Sequence, residues 1–127
     1  MKPFLISFAS ILLLDFLWLG LLMTSFYVRN LEPIGRFVEG KLQPQWLPAL
    51  GVYLLLSFGI SRFALVDGGE LVSVILRGAL LGLIVYGVYD LTNMATLKSW
   101  PLPLALVDMA WGSFLCATVA GISHWLR

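Results

Sequence analysis

A chain of 127 residues with 60% hydrophobic and 12% charged side chains carries about half the charge of a soluble domain. Its mean hydropathy of +0.93 excludes a soluble globule and fits one membrane domain. A net charge of +1 excludes nucleic acid as a partner, since phosphate recognition needs clustered Lys and Arg.

A membrane-spanning helix needs about 20 predominantly apolar residues. The first candidate covers residues 4–27, interrupted by Asp15. It is too long for the apolar core of a signal peptide, and no small-x-small cleavage site follows it, so it reads as a membrane helix. Residues 29–45 form the longest connection. Leu31, Ile34, Phe37, Val38 and Leu42 recur there at helical spacing, opposite Arg36, Glu39 and Lys41. Either a short amphipathic helix at the membrane interface or an irregular polar loop fits this pattern. The second span covers 46–66, with Arg62 placed to snorkel. Asp67-Gly68-Gly69 then signals a turn.

The third span, 71–97, carries Gly78-x-x-x-Gly82 near its start and Asp90 inside. The fourth, 102–126, carries Asp108 and a stripe of small residues, Ser113, Ala117 and Gly121. Small residues let helix backbones approach closely in lipid, and packing within one chain is favoured over dimerisation. Lys98-Ser99-Trp100-Pro101 separates these two spans. Every proline falls at a helix end or in a connection, as intact helices require. Trp46, Trp100 and Trp125 lie at the expected interfaces. The fold expected is therefore all-α, an integral membrane bundle of four transmembrane helices in one domain. Lys and Arg divide equally between the two sides, so orientation is not encoded.

The chemistry concentrates in Asp15, Asp90 and Asp108. Each aspartate at the centre of a membrane helix costs roughly 2.5–3.5 kcal/mol, which obliges it to face the interior, find partners or hold a proton. Asp15-x-x-Trp18 and Asp108-x-x-Trp111 repeat one spacing, and residues three apart share a helix face. Each carboxyl is therefore expected near its own indole, or the ring walls a pocket. Tyr86, Tyr89, Asp90, Asn93 and Thr96 follow the helical repeat as one polar stripe. At 1.5 Å of rise per residue, Asp90 and Asp108 lie roughly 10 Å below the same membrane face, and Asp15 lies near the midplane. These placements predict a polar cavity opening toward the first and third connections, with Asp15 at its floor. The bland alternative is a hydrogen-bonded network that only fixes helix register. No cofactor or metal is implied, because no His or Cys cluster has ligand spacing. Cys116 reads as a packing residue, and its solitude excludes an internal disulfide.

The segments Asp15–Gly20, Tyr86–Thr96 and Asp108–Gly112 resemble a small bacterial membrane family, domain of unknown function 2177. The resemblance spans nearly the whole chain. It implies a multi-pass protein of the bacterial inner (cytoplasmic) membrane. It also suggests a lipid or lipid-like ligand, through the family's association with lipid-modifying enzymes, and it transfers no catalytic residue.

Three functions follow as expectations. The favoured one is a pocket that binds a lipid-like or small-molecule ligand, with a lipid-related enzyme as one form of it. The second is a proton-coupled small-molecule transporter of small-multidrug-resistance-like architecture. The third is an accessory subunit of a membrane complex. Membrane lipids are the expected surroundings, and the sequence leaves both a homodimer and a larger complex open.

Overall fold

The computed structural model describes residues 1–39, 41–65 and 69–127. Among these, four helices are long and apolar enough to cross a membrane: α1 Lys2–Leu22, α3 Trp46–Ala64, α4 Leu71–Thr96 and α5 Leu102–Leu126. Pro3 and Pro103 occupy the first turns of α1 and α5, where a missing N–H costs nothing. The end of the second span at Val66 and the Asp67-Gly68 part of the expected turn lie outside the described residues.

The first span is shorter than its hydropathy suggests. It is α-helical over Lys2–Asp15, widens into a π-helix over Phe16–Leu22, and breaks at Met23 (φ −120°, ψ 17°). Met23 N–H reaches back five residues to the Trp18 carbonyl at 2.7 Å, and the Thr24 hydroxyl donates to the Leu19 carbonyl at 2.7 Å. Side-chain hydroxyls competing for backbone carbonyls in this way end helices. A separate short helix, α2 (Thr24–Leu31), follows the break.

The connection after α2 is neither a helix nor an irregular loop. Phe37–Val38 (β1) and Lys41–Leu42 (β2) pair as an antiparallel hairpin, Phe37 opposite Leu42 and Val38 opposite Lys41. Pro33, Gly35, Gly40 and Pro44 divide the segment too finely for a helical turn to propagate. Glu39 takes a positive φ of 52° at the turn. The helical spacing of the apolar residues there was a coincidence of composition.

Two contacts fix α1 antiparallel to α5: Ser7 with Ser123 at 2.8 Å near one end, and Asp15 with Trp111 at 2.9 Å near the other. Helices α4 and α5 pack most closely, through glycine. A Cβ on Gly82 would collide with the Gly112 carbonyl, and one on Gly112 with the Tyr86 ring. Gly78 lies against Cys116, Ala120 and the Ala117 backbone, the middle residue of the expected stripe. The closest line on α5 is thus Gly112, Cys116 and Ala120, one position round from the expected stripe, which flanks it on the same contact. Of that stripe, Ser113 donates to the Ala79 carbonyl at 2.9 Å and Gly121 packs on Ile75 at the margin. Ile11, Leu56, Ile60, Val74, Leu115 and Val119 fill the centre of the bundle.

Candidate intramembrane acidic site

Helices α1 and α4 end, and α5 begins, at one face of the bundle. That arrangement sets Asp15, Asp90 and Asp108 about six or seven residues inside, at similar depths of roughly 10 Å. With α1 ending at Leu22, Asp15 sits nearer this face than a span reaching Tyr27 would place it. Asp15 and Asp90 are buried, and Asp108 is half-buried.

Asp15 holds two neutral donors. Trp111 donates its indole N–H to Oδ1 at 2.9 Å, and Tyr53 of α3 donates its hydroxyl to Oδ2 at 2.6 Å. Asp108 accepts the Tyr27 hydroxyl from α2 at 2.9 Å, while that hydroxyl accepts the Trp18 indole N–H at 3.1 Å. Asp90 accepts the Trp100 indole N–H on Oδ1 at 3.2 Å, from the α4–α5 connection. Its Oδ2 is buried and reached by no N–H or O–H among the described residues. The neighbouring charged group that acts on Asp90 is the Asp108 carboxyl of the adjoining helix.

The two Asp-x-x-Trp units do not close on themselves. Trp111 serves Asp15 and Trp18 serves Tyr27, so the pairs are exchanged between helices. The exchange brings the two indoles into a parallel stack, centroids 4.3 Å apart and planes within 2°. Such a stack contributes on the order of 1 kcal/mol beyond area burial.

The polar stripe on α4 divides. Asp90 turns fully inward, and Tyr86 is wedged over Gly112 with its ring against the core. Asn93 is half-buried beside the Tyr89 hydroxyl. Tyr89 is 55% exposed and meets Trp100 edge-on, centroids 5.7 Å apart. Thr96 is exposed and turns its hydroxyl back onto the Thr92 carbonyl at 2.9 Å, apart from the acidic cluster.

Among the described residues, the carboxyls meet indoles and tyrosine hydroxyls where an open polar cavity with Asp15 at its floor is expected, and the hollows on the bundle are apolar. One, of about 410 Å³, is lined by Trp18, Met23, Val107, Ala110, Trp111 and Phe114. It opens sideways between α1 and α5, and its inner wall is the Trp18–Trp111 stack. A second apolar groove, of about 460 Å³, runs along α5 from Phe114 to Trp125, with Leu71 and Ile75 on its α4 side.

Tyr27, Tyr53 and Trp100 supply three of the donors to this cluster and lie outside the site residues expected from the sequence. Tyr53 carried a signal, since a lone hydroxyl in the middle of an apolar span needs a partner. Tyr27 was hidden by counting it as the end of the first span, and Trp100 by its expected role as an interfacial ring.

Fold and site together define a small multi-pass helical membrane protein with a buried acidic cluster. The family model described as a predicted membrane protein, domain of unknown function 2177, matches residues 1–125, and the chain belongs to that family. No curated protein and no solved structure gave a match.

Proposed function

We propose that this protein binds a lipid-like amphiphile whose apolar part lies in the groove between α1 and α5, with an amine-bearing polar end directed to Asp108. One observation carries this reading. The wall of the 410 Å³ apolar groove is the same Trp18–Trp111 pair whose N–H groups feed the acidic cluster. An apolar recess joined to a few convergent polar groups is the usual form of a small-molecule site. A groove open to the side of the bundle suits a ligand already dissolved in the bilayer.

Charge selects the polar end. Among the described residues, the charged groups acting on Asp90 and Asp108 are carboxylates, and no Lys, Arg or His stands among them. An amine supplies the missing positive charge, and the indole faces add cation–π attraction. A phosphate alone would meet only repulsion.

Native mass spectrometry from lipid nanodiscs tests the reading. Amine-bearing lipid is expected to stay bound to the unaltered chain, to be displaced by Ala110→Trp, which fills the groove, and to weaken with Asp108→Asn. Retention of anionic lipids without preference, or no change on filling the groove, removes the proposal.

A register-fixing role is favoured for Asp15 alone, because both of its oxygens already hold neutral donors.

A further inference from the structure

We infer that Asp90 and Asp108 form a carboxyl pair that holds a single shared proton within the membrane. Asp90 is fully buried and one of its oxygens lacks any N–H or O–H partner among the described residues, while Asp108, on the helix packed most closely against its own, is the neighbouring carboxyl that acts on it. A carboxylate can only accept hydrogen bonds. Two neighbouring ionised carboxylates repel, and the low dielectric around them magnifies the repulsion. A proton between them turns the contact into a charge-assisted O–H···O⁻ bond, the strong class of hydrogen bond.

Among the described residues, no basic side chain balances the charge of the pair. The titratable groups facing the pair, among the described residues, are Asp15 of α1, Tyr27 of α2, and Tyr86 and Tyr89 of α4. None of them is basic. Trp100 and Tyr27 each cover one oxygen with a neutral donor, which leaves the remaining oxygens for each other. Among the described residues, no group of three His, Cys, Asp or Glu side chains is arranged to hold a metal ion. A proton is the cation that fits inside a hydrogen bond.

The pair is then a protic site about six residues below the membrane face, lidded by Tyr27. The inference stands apart from the ligand reading, because the shared proton requires no ligand. Infrared spectra of the full purified chain at neutral pH test it. A protonated-carboxyl C=O band that shifts in D₂O is expected in the unaltered protein. It is expected to be lost in both Asp90→Asn and Asp108→Asn, where an amide N–H replaces the proton, and to be kept in Asp15→Asn. Absence of the band from the unaltered chain, its retention in either of the first two variants, or its loss in Asp15→Asn overturns the inference. A variant that fails to fold would also lose the band, so ¹³C-aspartate labelling of the unaltered chain supplies a second reading. A proton-mediated correlation between two aspartate carboxyl carbons is expected, and its absence counts against the shared proton.

Discussion

Trp111 gives its indole N–H to Asp15, across the interface between α1 and α5, and not to Asp108 three residues earlier on its own helix. Asp15 is 6% exposed and Trp111 8%, so this bond is made where water cannot replace it. Trp18, the matching residue on α1, gives its N–H instead to the Tyr27 hydroxyl. Two identical sequence spacings therefore do different work.

That asymmetry predicts unequal costs. Trp111→Phe strips a donor from a buried carboxyl, a loss of about 1–3 kcal/mol. Trp18→Phe removes a donor from a hydroxyl that keeps Asp108 as its acceptor, and is expected to cost less. Both substitutions remove similar ring area from the same stack, so their difference isolates the hydrogen bond. Unfolding in mixed micelles with increasing SDS measures it. Equal losses would show that stacking, and not the bond to Asp15, carries the stability.

The glycines of α4 and α5 make a sharper contrast. Gly112→Ala drives a methyl into the Tyr86 ring, and Gly82→Ala drives one into the Gly112 carbonyl. Each is expected to destabilise the bundle by about 1–3 kcal/mol through overpacking. A side chain can be cut back but a backbone cannot. Tyr86→Leu should therefore recover part of the loss in Gly112→Ala and none in Gly82→Ala. Gly51 has nothing within 4 Å of where a Cβ would stand, so Gly51→Ala is expected to leave the SDS midpoint unchanged or slightly raised.

These elements show where sequence reading reached and where it stopped. The four spans were legible because lipid demands long apolar helices, and the burial of Asp15 and Asp90 followed from the cost of charge in hydrocarbon. The glycine contact was legible to within one position, since GxxxG names the helix face but not the groove that receives it. The break at Met23 was not legible from hydropathy, because residues 24–27 bring neither a charge nor a proline to mark it. With that break unseen, Tyr27 could not be placed over Asp108. The exchange of tryptophans between helices depends on how α1 rotates against α5, which no spacing within one helix encodes.

Ser7 and Ser123 are both fully buried and bonded to each other at 2.8 Å, far along the bundle from the acidic cluster. Such bonds between membrane helices average about 0.6 kcal/mol. Ser7→Ala and Ser123→Ala are each expected to cost about that much. The double variant should cost little more than either alone, because the second substitution removes a hydroxyl already without its partner. Simple additivity in the double-mutant cycle would mean that each serine is satisfied elsewhere.

Tyr27 offers a pH test outside the membrane spans. Burial first, and the neighbouring Asp108 charge second, hold its hydroxyl in the neutral form and raise its pKa above the ordinary 10.0. The folded chain then keeps a proton that the unfolded chain releases. This contribution to stability is intact below the unfolded pKa and declines as pH rises above it toward the folded value. Tyr27→Phe also leaves the Trp18 N–H without that acceptor and takes the Tyr27 donor from Asp108 Oδ1, so the variant should be less stable at neutral pH. Its decline on the alkaline side, followed by unfolding between about pH 8 and 12, should be shallower than that of the unaltered chain. Amide exchange over residues 24–31 should quicken in the same variant, since Tyr27 is the buried residue of α2. Parallel alkaline limbs, or unchanged exchange in α2, would mean that Tyr27 neither titrates with folding nor holds its helix over the carboxyl pair.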